Sequence, residues 1–142
     1  MSTVDNNRAL YRRWLFELWG GELRVAEEII AESFVGHWPD QDVRGPRGAA
    51  LAVEAGRAPF DDVSITLDVG PIAEGDKVAG HWTFHASYRG GLPGATVRTG
   101  TRVAFSGMDI VRVDPASGKL AEYWVVSDAL GLMTQLGAAG PV

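Results

Sequence analysis

The sequence predicts an α+β fold, and three observations carry that prediction. Apolar residues in the first 58 positions recur at helical spacing. From Val63 onward they alternate with polar residues, as a half-buried strand requires. Clusters of Gly, Pro and Asp then divide this second part into successive strands.

The first helix is expected from about Val4 to Trp19. Leu10, Tyr11, Trp14, Leu15 and Leu18 form one stripe, with Arg12, Arg13 and Glu17 off it. Thr3 or Asp5 can cap its start, and Gly20-Gly21 ends it. A second helix, about Glu22 to Glu32, turns Leu23, Ala26 and Ile30 inward. Phe34 to Trp38 reads as a short extended piece ended by Pro39, and Gly45-Pro46 opens a third helix through about Ala58. Val63, Ile65, Leu67 and Val69 mark the first long strand, and Glu74-Gly75-Asp76 a turn. Lys77 to Tyr88 is the next strand, broken by Gly90 to Gly94. Val97 to Val113 is a long strand, expected to curve or bulge near Gly100 or Gly107. Asp114 to Gly118 makes a hairpin, Leu120 to Ser127 the last strand, and Asp128 to Leu136 a closing helix. With no linker, repeat or low-complexity tract, residues 1–142 read as a single domain.

Composition narrows the function classes. Hydrophobic residues make up 46% of the 142, enough for a packed core and a lined cavity. The net charge is −5 with no basic stripe, which argues against nucleic acid as partner. The absence of cysteine excludes disulfide and thiolate chemistry. No signal-type or bilayer-spanning run is present, so no membrane association and a cytoplasmic location are expected. No phosphate loop, nucleotide fingerprint or Ser–His–Asp arrangement occurs, and neither metal nor organic cofactor is expected.

Strand parity singles out one residue. Val97, Val103, Phe105, Val111 and Val113 share a face, and Asp109 lies on it as the only charged side chain. A carboxylate in an apolar wall is costly unless hydrogen-bonded or neutralised, and such groups concentrate at functional sites as well as in structural networks. On the neighbouring strand Trp82, Phe84 and Ala86 form the inward parity. His81, Thr83, His85 and Ser87 form the outward one. His81 and His85 would stand about 13 Å apart on a strand, too far to share a metal ion, and are read as surface or dimer-contact residues. His37 and Asp40 flank Trp38-Pro39 and are a second candidate acid/base pair, with His37 expected inward. Tyr11 and Trp14 sit on the inward stripe of the first helix.

The C-terminal third carries a resemblance. Phe105-Ser106-Gly107, Gly118-Lys119-Leu120-Ala121-Glu122-Tyr123-Trp124 and Asp128-Ala129-Leu130-Gly131-Leu132-Met133-Thr134-Gln135-Leu136-Gly137 resemble the end of SnoaL-like polyketide cyclases. Phe34-Val35-Gly36-His37 and Gly45-Pro46 fit the same frame. The resemblance implies the nuclear transport factor 2-like fold, a curved antiparallel sheet wrapping about three helices into a cone, or cystatin-like α+β barrel. It also implies a homodimer formed through the outer sheet face. It implies a cofactor-independent cyclase that closes a ring on a hydrophobic polyketide-type intermediate in secondary metabolism, by acid/base chemistry, by shape (pericyclic or oxa-cyclisation), or by both. Aromatic polyketide cyclases of this family carry an acid/base Asp where this chain has Val125, and a His where it has Val111. Asp109, two residues before Val111, is then the expected acid or base, with Asp40 or His37 as counterpart. Tyr11, Trp14, Trp38, Phe60 and Trp82 are expected to line the substrate pocket. So are Phe84, Phe105, Val111, Tyr123 and Val125. Epoxide hydrolysis or hydroxylation by a carboxylate holding a water, isomerisation by a carboxylate beside a Tyr11 or Tyr123 donor, and a non-catalytic small-molecule-binding or dimerisation module are the alternatives.

Overall fold

The computed structural model describes residues 2–138. Helix α1 spans Thr3–Arg12 and is capped by the Ser2 hydroxyl, which accepts from the Asp5 amide. It continues without a break into a π-helical stretch, Arg13–Leu18. Helix α2 is Val25–Ile29, followed by strand β1 (Ile30–His37) and a short β2 (Asp42–Arg44). Helix α3 is Gly45–Arg57, with Pro46 in its first turn. Strands β3 (Phe60–Glu74), β4 (Lys77–Tyr88), β5 (Arg102–Asp114) and β6 (Lys119–Ser127) precede helix α4 (Ala129–Gln135).

All six strands join one sheet in the order β2-β1-β6-β5-β4-β3. The last four form the expected antiparallel meander, whereas β1 pairs with β6 in parallel. The sheet curls because its edge strand β3 slips register against β4 three times, between Asp61 and Ser64, Leu67 and Val69, and Val69 and Ile72. Each slip adds local twist and bend. One face of this curled sheet packs on the helices. Tyr11, Trp14 and Leu18 from the first helical arm, with Ala49 and Val53 from α3, meet Val78, Phe84, Val111 and Tyr123 from the strands.

Several elements depart from the sequence expectation for identifiable reasons. The second helix is only five residues long, because Ile30 turns extended and joins Leu120 of β6. There pairing overrides a helical stripe that reads well locally. β5 begins at Arg102, so Val97 lies in the preceding loop. Gly100 adopts φ 94°, and the amides of Thr96 and Val97 donate to the Leu136 carbonyl rather than to a strand. β5 does not bulge at Gly107, and it pairs with β4 unbroken from Arg102 to Arg112. Gly107 is small for another reason. A Cβ there would fall 2.5 Å from two ring atoms of Trp82, so the missing side chain lets the indole lie on the strand.

Candidate active site

Alternation along β5 turns Val103, Asp109, Val111 and Val113 to the helix-facing side, where all four are buried. Asp109 is only 3% exposed. The Tyr11 hydroxyl donates to its Oδ1 at 2.6 Å, and the Tyr123 hydroxyl to its Oδ2 at 3.1 Å. The indole N–H groups of Trp14 and Trp82 lie close enough to help hold the carboxylate's charge. Neither reaches hydrogen-bond geometry, and both are buried without a partner among the described residues. No ion pair to Asp109 occurs among the described residues.

These contacts set opposing forces on one proton. Burial pushes the Asp109 carboxyl up, and the donors Tyr11, Tyr123, Trp82 and Trp14 pull it back; burial wins, leaving the group at about 6. Burial, with the charge of Asp109 second, holds the Tyr11 and Tyr123 hydroxyls protonated far above neutrality. The site is a carboxyl able to exchange a proton near neutral pH beside two permanent phenol donors.

Local packing explains why the donors converge. Gly80 is the cross-strand partner of Asp109, and a Cβ there would overlap the Tyr11 hydroxyl. Glycine on β4 thus opens the gap through which α1 delivers Tyr11. The π-helical stretch then places Trp14 against Tyr123, ring centroids 4.5 Å apart, and turns Leu15 and Trp19 toward a cavity. π-Helical turns recur at functional sites because the extra residue re-aims the side chains that follow.

The cavity encloses about 140 Å³ and ends at Asp109. Trp82, Phe84, Asp109 and Tyr123 form its buried end, Ile65, Phe105, Val125 and Trp38 its walls, and Pro39, Gly56 and Ser127 its exposed rim. Asp109 is directly opposite Val125 in the β5–β6 register. The carboxylate therefore stands across one strand pair from the position where the sequence resemblance looks for one.

The expected pocket residues divide. Trp38, Trp82, Phe84, Phe105, Tyr123 and Val125 line the cavity. Tyr11 and Trp14 stand behind Asp109, Val111 is sealed in the core, and Phe60 packs edge-on against Phe84 outside the cavity. His37, expected inward, points the other way. It lies opposite Trp124, on the parity opposed to Tyr123, with Nδ1 3.0 Å from Asp42 and Nε2 2.7 Å from Glu122. Those two carboxylates draw it outward and raise its pKa, Glu122 more than Asp42. Asp40 is exposed in the turn after β1 and does not line the cavity. His81 and His85 lie on the outer face, near Asp68 and Thr66 respectively. Leu15, Trp19, Ile65 and Ser127 also line the cavity. The alternating strand pattern already marks Ile65, whereas Trp19 depends on the π-helical turn, which leaves no mark in the sequence.

Known proteins share the fold. Solved structures above 25% identity cover nearly the whole chain. TsrD from Streptomyces laurentii is 27% identical over 95% of this chain and 97% of its own, with a TM-score of 0.79. A proposed polyketide cyclase from Acidithiobacillus ferrooxidans is 26% identical over 98% and 100%, with a TM-score of 0.80. AclR from Streptomyces galilaeus, a proposed hydroxylase, is 24% identical over 98% and 85% with a TM-score of 0.81, a likeness of fold. No curated protein matches the sequence. The sequence profile of the SnoaL-like polyketide cyclases matches residues 9–136, which span the arm carrying Tyr11, the strands carrying Asp109 and Tyr123, and α4; the chain belongs to the SnoaL-like polyketide cyclase family.

Proposed function

We propose that the protein closes a ring on a hydrophobic, oxygenated intermediate of polyketide type, with Asp109 as the acid and base. The observation that supports this most is the placement of Asp109. It is a buried carboxyl at the closed end of an apolar cavity, held by two phenol donors and, among the described residues, by no cation. In its ionised form Asp109 takes a proton from a carbon next to a carbonyl. The resulting enolate carbon forms a bond to a second, electrophilic carbonyl of the same molecule. The new alkoxide then recovers the proton from Asp109, so nothing is oxidised or reduced. As Asp109 takes up the proton, the Tyr123 O–H that holds the carboxylate at rest is released to turn to the developing enolate oxygen, and Tyr11 supports Asp109 from behind. The aromatic walls fold the chain so that the reacting carbons meet, an effect worth about 7–11 kcal/mol in favourable cases. Proton transfer by a placed group adds roughly 10²–10⁴-fold. The same carboxylate and phenol pair also suits an isomerase, which shares the enolisation step.

The first test isolates that step. Exchange of the α-hydrogens of cyclohexanone in D2O is followed by NMR with and without protein. The protein accelerates exchange, and Asp109→Asn lowers the accelerated rate by about 10²-fold or more. Exchange no faster than in buffer, or an Asn variant as fast as the parent, would remove Asp109 from the chemistry.

The outer sheet face supports pairing of two copies. Met108, Ile110 and Val126 are 56%, 40% and 66% exposed on adjacent strands, and with Trp124 they border a shallow apolar depression. Exposed apolar area of this kind marks contact surfaces. Sedimentation that gives only the monomer at micromolar concentration would overturn the pairing.

A further inference from the structure

The dimensions and polar groups of the cavity narrow the substrate more than the fold does. A cavity of about 150 Å³ takes one benzene-sized ring, and the present one encloses about 140 Å³. Its buried end is closed by Trp82, Phe84 and Tyr123, at 8%, 3% and 1% exposure. Its opening lies between Pro39, Gly56 and Ser127, all exposed. A ring therefore enters end-on and cannot carry bulk beside its buried edge.

The buried end also presents complementary hydrogen-bonding groups. Asp109, when ionised, accepts, and the Tyr123 hydroxyl lies beside it. The Trp82 N–H lies near Asp109 but makes no hydrogen bond to it or to any other described residue, and its side chain is more than nine-tenths buried and forms part of the cavity wall. An unpaired buried donor carries a standing cost that a ligand acceptor would relieve. Trp82 is held in place by Gly107 beneath it, so its N–H cannot easily turn elsewhere.

We infer that the site takes a single oxygen-bearing ring, or a chain end of that size, with the oxygen seated between Asp109 and the Trp82 N–H and unsubstituted on both flanks. A larger substrate would insert one terminal ring and leave the rest beyond Pro39 and Ser127. This inference rests on the cavity assigned above but not on its catalysis. It concerns recognition, and Trp82 is its specificity-determining residue.

Calorimetric titration at pH 8 with simple aromatic probes tests it. Phenol binds at least ~5-fold more tightly than toluene, because its hydroxyl donates to Asp109 and accepts from Trp82. 4-Phenylphenol, whose second ring points outward, binds at least as well as phenol. 2-Phenylphenol and 2,6-dimethylphenol, substituted beside the oxygen, bind at least ~10-fold more weakly. Trp82→Phe and Asp109→Leu each erase the preference for phenol over toluene while toluene binding persists, which also shows that each variant is folded. Flank-substituted phenols that bind as well as phenol would overturn the proposal. So would a preference for phenol that survives in Trp82→Phe. Because binding is the readout, the expected pattern without cyclohexanone exchange would sink the catalytic reading and leave this one standing.

Discussion

Asp109 makes the protein's stability depend on pH in a direction opposite to that of most carboxylates. Its folded pKa is raised from 3.8 to about 6, so between those values the folded protein keeps a proton that the unfolded chain has lost. Stability falls with rising pH wherever the folded state binds more protons. The contribution of Asp109 is thus harmless below about pH 4, grows unfavourable through pH 6 and is complete above it. At ~1.4 kcal/mol per tenfold change in proton affinity, the full cost is about 3 kcal/mol. Asp109→Asn keeps the shape and removes the titration. Urea unfolding of both proteins, followed by tryptophan fluorescence from pH 4 to 8, gives a difference in which the other groups cancel. That difference should move in favour of the Asn variant by up to about 3 kcal/mol between pH 4 and 6, then level off. A flat difference would refute the reasoning. One moving against the Asn variant as pH rises would mean that Tyr11 and Tyr123 outweigh burial and that the carboxylate is ionised throughout.

Other perturbations follow from the same contacts. Tyr11→Phe removes the 2.6 Å bond to Asp109, so unfolding in urea should show a loss of about 1–3 kcal/mol and the Asp109 window should move to higher pH. Gly80→Ala places a Cβ on the Tyr11 hydroxyl and should cost about 1–3 kcal/mol with a similar upward move, measured in the same way. The raised pKa of His37 gives stability that is complete below its unfolded value near 6.5 and lost as pH rises through the folded value. His37→Gln should abolish that slope, with the imidazole titration itself read by NMR. Val126→Glu puts charge on the exposed apolar face and should shift sedimentation toward monomer if two copies meet there.

What could be read from the sequence follows from how local its determinants are. β4 came out at its full length because alternation runs without interruption from Val78 to Tyr88. The burial of Asp109 followed from the same period of two. The partners of Asp109 did not, because Tyr11 is 98 residues away and reaches it only where Gly80 lets the helix close on the sheet. The aromatic and the proline after His37 suggest the interior. The parallel β1–β6 register actually sets it beside Glu122, and that register is a property of the sheet, not of residues 34 to 38. α2 ended early for the same reason.

The position of Asp109 opposite Val125 yields a sharper test of what the cavity does with a charge. Val125 is a direct cross-strand neighbour, and such pairs place their Cβ atoms about 4.5–5.5 Å apart. Val125→Asp would set two carboxyls together at the end of an apolar cavity lined by Trp38 and Phe105. With no cation paired to Asp109 among the described residues, the two cannot both ionise cheaply, so they should share a proton and titrate as a pair with one apparent pKa well above 6. The stability window seen with Asp109 alone would then extend toward and past neutral pH, and cyclohexanone exchange should peak at higher pH. Carbon-13 NMR of aspartate-labelled protein reads the two steps directly. Two independent titrations, one below 5 and one near 6, would mean that the introduced group turns to solvent at the Ser127 rim. They would also mean that the cavity is wetter than its walls imply. A coupled pair would show that the protein keeps its carboxyl titratable near neutrality by surrounding it with neutral donors instead of a positive charge.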